Sequence, residues 1–235
     1  MMHMTQEEFD SLAPKLKELS LNKDFPNWGK VQNDKMDKLL TGTRQDKERF
    51  YNNTNTYDSF LKLLDEKNIT DEKDVNYCTK RWFGNVCAKC DEFLFYKNDG
   101  VKSHEESNNP FWDVEFKNGL QMDIKSTVIP KKMMVDGKDD RYLIHHPEEI
   151  IPWMYQNQSK GVRMRFQNRL FICHHSMVNE NRINYVKCAW EYKERLFKNI
   201  ADNIEKVKLY DFNGAKAALI FVIENEENQF NYKLT

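Results

Sequence analysis

Asp113, Glu115, Asp123 and Lys125 lie in FWDVEFKNGLQMDIKST, residues 111–127, where charged and apolar side chains alternate on both sides of a Lys-Asn-Gly turn. With the turn centred on Asn118, Asp113 falls opposite Asp123 and Glu115 opposite Gln121, and the four charged residues share one face of a hairpin. Like charges directly across two strands destabilise a sheet, so something must neutralise them. Opposed side chains stand roughly 4.5–5.5 Å apart at Cβ, near enough for two carboxylates to hold one hard cation. Mg²⁺ there would turn repulsion into coordination and polarise a phosphate oxygen or a bound water. Lys125, two residues along the same face, would hold the attacking water or stabilise charge developing on the phosphate. The plain alternative is a surface hairpin whose Asp–Lys pair is a solvated ion pair of little energetic weight. Spacing alone does not separate the two.

The spacing Asp113, then Asp123-Ile124-Lys125 on the second arm, resembles the PD-(D/E)xK nuclease superfamily, the restriction-endonuclease-like fold. Pro110 stands three positions before Asp113, so the literal Pro-Asp pair is absent, and Ser126-Thr127 supply the small hydroxyl residues that often follow the lysine. The resemblance implies a core ordered helix–strand–strand–strand–helix–strand, matched across about residues 74–176. It also implies Mg²⁺ held by Asp113, Asp123 and the Ile124 carbonyl, with Lys125 orienting the water. An acidic residue on the helix before the sheet would complete the metal site: Glu92 first, Asp91 second, with Glu115 of the hairpin as the alternative. The implied activity is Mg²⁺-dependent hydrolysis of DNA phosphodiesters, in the form of a type II restriction endonuclease acting on double-stranded DNA as a homodimer. Repair nucleases and junction resolvases share the motif. A non-catalytic nucleic-acid-binding protein on the same fold is the reading from a different class.

These residues need elements to hold them. Thr5 and Glu8 form a capping box that opens a helix to about residue 20, and helical spacing returns over 33–50 and at Tyr57, Phe60, Leu61 and Leu64. Residues 1–70 therefore read as a helical N-terminal region, and 71–235 as the nuclease-like core with a C-terminal elaboration. Asp71 and Asp74 open a helix running to about Lys97, which Gly100 can stop. A short strand near 100–104 precedes the hairpin. Downstream, HPEEIIPWMYQ reads as a helix, NRLFICHHS as a strand, CAWEYKERLFKNIADNIEKV as an amphipathic helix and AKAALIFVIE as a buried strand. The expected class is α/β, a mixed α+β core in which helices cover a small mixed sheet.

Other constellations compete poorly. Cys87-Ala88-Lys89-Cys90 is a C-x-x-C inside a helical pattern with no second pair at finger spacing, which favours buried reduced thiols over zinc. His174 and His175 end an apolar strand and read as packed or capping residues, and His145-His146 before Pro147 reads as a helix entry. Lys160, Arg163, Arg165 and Arg169, interleaved with Met164 and Phe166, join Lys131 and Lys132 as candidate phosphate contacts, a solvated loop being the ordinary alternative. No Walker loop, G-x-S-x-G or H-E-x-x-H is present, so P-loop, serine and zinc hydrolysis find no support. With 36 basic and 37 acidic residues, net charge −1, a wholly cationic nucleic-acid coat is excluded, though not a local groove. Five cysteines, a polar N-terminus and no long apolar run suit a soluble protein of the reducing cytoplasm.

Overall fold

A computed structural model describes residues 4–27, 36, 56–103, 112–135, 137–157 and 167–234. The helical spacing read over 33–50 lies outside the described residues apart from Met36, as do Pro110 and Lys160, Arg163 and Arg165.

The chain is mixed α+β, with helices at its N-terminal end and a seven-stranded sheet behind them. Helix α1, Gln6–Leu21, begins at the capping box, in which Glu8 N–H donates to Thr5 Oγ1 and Thr5 N–H donates to Glu8 Oε2. Helix α2, Tyr57–Glu66, has Thr56 as its cap. The long helix α3, Glu72–Tyr96, is capped by Asp71, which accepts from Lys73 N and Asp74 N, and the chain leaves it through Gly100 at φ +79°. Strands β1, Lys102–Ser103, β2, Val114–Glu115, and β3, Gln121–Val128, follow as an antiparallel set.

A parallel neighbour needs a crossover. Helices α4, Asp140–His145, and α5, Pro147–Asn157, supply it before strand β4, Arg169–Ser176, which lies parallel to β3. After α6, Ile183–Lys187, and α7, Trp190–Asp202, come β5, Tyr210–Phe212, β6, Ala215–Glu226, and β7, Gln229–Leu234. The strand order is β1-β2-β3-β4-β6-β5, with β7 also paired to β6. Helix, three antiparallel strands, helices and a parallel strand is thus the observed succession from α3 to β4.

Two apolar layers enclose the sheet. Leu170, Ile172, Ala218, Ile220 and Val222 face one layer with α1, α3 and α7, and Phe171, Cys173, Leu219 and Phe221 face the other with α4 and α5. Strands covered on both sides read as unbroken apolar runs, which is why RLFICHHS and AKAALIFVIE lack alternation. The N-terminal helices share the first layer: Phe9 stacks on Phe93 at 5.0 Å, and the Trp190 indole donates to Ala13 O. Among the described residues no helix is long and apolar enough to cross a membrane.

Candidate cation site on the β2–β3 hairpin

The hairpin forms in the expected register. Val114 pairs with Met122 and Glu115 with Gln121, while Asp113 N–H donates to Met122 O. The turn closes through Gly119 N–H to Phe116 O at 2.8 Å, with Gly119 at φ +79°, a left-handed conformation that glycine adopts without cost. Val114, Phe116, Met122 and Ile124 are buried beneath, where Phe116 meets Phe95 of α3 edge-on at 6.0 Å.

On the other side of the strands the charges converge. The Lys125 ammonium donates to Asp123 Oδ1 at 2.5 Å and to the Ile124 carbonyl at 3.1 Å, and stands 3.8 Å from Asp113 Oδ2. That same Asp113 oxygen accepts the Ile124 N–H at 2.7 Å, so the backbone of β3 orients the carboxylate. Asp123 Oδ2 faces Arg169 Nε at 3.3 Å across the parallel β3–β4 register. The two aspartates are thus neutralised by two cations of the chain itself.

Glu92 of α3 is the third carboxylate to feel this cluster. Desolvation first, then the Asp113 carboxylate, pushes its pKa up to about 8, with Asp123 adding to the rise and Lys125 and Lys89 opposing it. Burial likewise raises Asp113 to about 6, Asp123 contributing while Lys125 and the Ile124 N–H pull the other way. Burial disfavours the Lys125 charge, yet Asp123, Asp113 and Glu92 more than offset that and hold its pKa above the usual lysine value.

The other candidates sit elsewhere. Asp91, on the neighbouring phase of α3, is fully buried and paired to Lys193 at 2.5 Å. Glu115 lies at the turn end, where Gln121 Nε2 donates to it at 2.7 Å and Lys102 approaches at 3.4 Å. Lys131 and Lys132 are exposed in the turn after β3, Lys131 pairing with Glu180. Arg169 lies inside the fold with its side chain 4% exposed, directed at Asp123 rather than displayed on a basic face. His174 is buried, its Nδ1 3.2 Å from Thr127 O, and burial lowers its pKa well below the usual imidazole value. His175 pairs with Asp140 at 3.0 Å. Cys87 and Cys90 are free thiols within α3.

Three features had no counterpart in the sequence reading. Asn168 joins three strands: its Nδ2 donates to Gln121 O, its Oδ1 accepts from Lys216 N, and its carbonyl accepts from Asp123 N. Tyr155 places its ring 4.8 Å from the Arg169 guanidinium and donates its hydroxyl to Gln167 O. Beneath the strand, Lys187 Nζ donates to Ser126 Oγ at 3.0 Å.

The oxygens around the Lys125 ammonium come from two carboxylates and one carbonyl, a set of hard donors rather than soft ones. The raised Glu92 and Asp113 reflect burial first, with the neighbouring carboxylates adding to it. Among the described residues, however, no three His, Cys, Asp or Glu side chains already stand grouped to hold an ion; the oxygens are spaced around an ammonium. No family model, curated protein or solved structure matches this chain.

Proposed function

We propose that the protein is a Mg²⁺-dependent endodeoxyribonuclease with a restriction-endonuclease-like core. The observation that carries the reading is the Lys125 ammonium bracketed by Asp123 Oδ1, the Ile124 carbonyl and Asp113 Oδ2: it marks the place where the hairpin holds a cation. The succession α3, β1–β3, α4–α5, β4, with antiparallel then parallel pairing, is the order the motif's resemblance implies.

In this reading Asp113, Asp123, Glu92 and the Ile124 carbonyl hold Mg²⁺. The ion supplies Lewis-acid polarisation of the scissile phosphate. Lys125, whose side chain is 35% exposed, can leave its present partners, orient a water for in-line attack and offset charge growing on the phosphate. Duplex DNA as substrate, a type II restriction activity and the cytoplasm as its place follow from the same resemblance. Cutting both strands takes two such sites, hence a homodimer.

Incubation of supercoiled plasmid with Mg²⁺ tests the reading. The wild type is expected to cut, giving discrete bands if it is sequence-specific and a smear if it is a general nuclease. Asp123→Ala and Lys125→Ala are expected to lose at least about 10²–10³-fold in rate with unchanged circular dichroism. Wild-type-like cutting by either variant would sink the assignment.

One observation favours a second reading, a non-catalytic nucleic-acid-binding protein. Lys125 and Arg169 already compensate Asp123 without any metal. A wild type that binds duplex DNA, leaves plasmid intact and shows no change of thermal midpoint with Mg²⁺ would establish it.

A further inference from the structure

Lys17 of α1, Tyr185 of α6, Tyr192 and Arg195 of α7 and Phe230 of β7 converge on a cleft of about 410 Å³, a volume in the range of small-molecule sites. Three half-buried rings form a row along it. Phe230 stands between the tyrosines, 5.8 Å from Tyr185 at 34° and 5.6 Å from Tyr192 at 35°. One end of the row is braced: the Arg182 guanidinium lies 4.6 Å from the Tyr185 ring and is itself held by Glu224 through Nε and Nη2. At the other end the Tyr192 hydroxyl is buried and, among the described residues, has no hydrogen-bond partner. Burial raises its pKa to about 12, Tyr232 adding to the rise and Arg195 opposing it, so it stays a proton donor at neutral pH. A buried donor left unpaired costs stability, and an acceptor on a ligand would remove that cost. Two cations flank the rings. Lys17 and Arg195 are exposed and, among the described residues, neither takes part in an ion pair, while Glu191 is the one acidic side chain of the lining.

We infer that this cleft is a second ligand site that takes a nucleotide, its base against the Tyr185–Phe230–Tyr192 row and its phosphate between Lys17 and Arg195. Every nucleobase has a π-face, so stacking on such rings tolerates any base. A guanidinium presents a planar fork of donors that matches phosphate oxygens, and an ammonium adds charge from a flexible stem. A bare anion would use only the cations and an uncharged ring only the aromatic row; a nucleotide uses both. The site stands apart from the hairpin. Helix α7 carries Tyr192 near its start and ends at Asp202, which meets Lys117 of the hairpin turn at 3.8 Å. The ten residues between them span roughly 15 Å of helix. A free nucleotide and the unpaired end of a nucleic-acid strand both carry the required chemistry.

Isothermal titration calorimetry of the whole chain in EDTA, with adenosine 5′-monophosphate as the probe, tests the inference without metal or cleavage. The wild type is expected to bind the probe, and to bind adenosine or inorganic phosphate at least about fivefold more weakly. Arg195→Gln, Lys17→Gln and Phe230→Leu are each expected to lose at least about fivefold in affinity for the probe. Asp123→Ala is expected to bind it as the wild type does. A 5′-phosphorylated single-stranded oligonucleotide separates the two sources: displacement of the probe with equal or tighter affinity assigns a strand end, and no displacement assigns a free nucleotide. No binding of the probe at millimolar concentration would overturn the inference. So would inorganic phosphate binding as tightly as the probe, unchanged affinity in the double variant Lys17→Gln, Arg195→Gln, or loss of binding in an Asp123→Ala protein of unchanged circular dichroism. If Phe230→Leu does not fold, the two surface variants and the adenosine control still decide. A chain that cuts plasmid and ignores the probe would overturn the cleft alone; one that binds the probe and cuts nothing would leave the cleft standing without the nuclease reading.

Discussion

Glu92 carries a cost that the other carboxylates of the hairpin share less. Burial first, then the Asp113 and Asp123 carboxylates, raise its pKa from 4.5 to about 8, while Lys125 and, on its own helix, Lys89 oppose the rise. A carboxyl whose folded-state pKa lies above its unfolded value contributes stability below the unfolded pKa, and that stability is lost as pH rises through the folded one. The metal-free protein should therefore weaken between about pH 4.5 and 8 on account of this residue. Glu92→Gln removes the ionisation while keeping the shape. In EDTA the variant is expected to melt with the wild type at pH 5 and several degrees above it at pH 9. A variant no more stable than the wild type at pH 9 would show that Glu92 does not bear this strain. Stability given up for a concentrated charge is what a cation site requires, and the same ionisations make cation binding release protons, so affinity for Mg²⁺ should climb across the interval from Asp113 to Glu92.

At the scale of elements, α3 works on two fronts. Glu92 lies within the electrostatic reach of Asp113 and Asp123, and the preceding residue, Asp91, accepts from Lys193 of α7 at 2.5 Å, while Lys193 also donates to Lys187 O and lies 4.1 Å from the Trp190 ring centroid. Lys187 in turn holds Ser126 of β3, so one buried polar network joins α3, α6, α7 and the strand that carries Lys125. Removing a single partner leaves a buried charge uncompensated. Lys193→Met is expected to cost about 3–5 kcal/mol in chemical denaturation, and the double variant Asp91→Leu, Lys193→Met to recover most of it. A loss below about 1 kcal/mol for the single variant would mean the pair is not desolvated as described.

The legibility of these elements from sequence follows the same logic. The hairpin register was readable because a short turn through Gly119 leaves the pairing of two alternating strands little freedom. Glu92 and Asp91 could not be told apart as site residues, since neighbours on a helix differ by one phase and only packing decides which faces the strands. Arg169 could not be placed beside Asp123, because a parallel register depends on how a long crossover packs, not on its length. Strand β5 had a signal that went unused, Asn213-Gly214 at φ 50° and 85°, a two-residue hairpin turn. Strand β7 is mostly exposed and polar, so its sequence lacks the contrast that marks a buried strand.

Taken whole, the molecule is nearly neutral, 36 basic against 37 acidic residues, and at its proposed catalytic face Lys125 and Arg169 offset Asp113 and Asp123. Without the Lys125 ammonium the carboxylates of this face would repel a phosphate backbone until a cation offsets them, so in the proposed nuclease the divalent ion should govern DNA affinity as well as chemistry. Two unit charges about 4 Å apart interact by roughly 1 kcal/mol in water and about 4 near a protein surface, which converts to about fivefold or more in affinity. Fluorescence anisotropy of a labelled duplex with the Lys125→Ala protein, which the proposed function expects to be cleavage-deficient, measures this directly. Ca²⁺ is expected to tighten binding at least about fivefold over EDTA. In the double variant Asp123→Ala, Lys125→Ala, the Ca²⁺ effect should vanish and binding in EDTA should improve, because one repelling carboxylate is gone. Equal affinity in EDTA and Ca²⁺ for Lys125→Ala would mean that DNA is held by surfaces remote from the hairpin and that the carboxylates do not govern its approach.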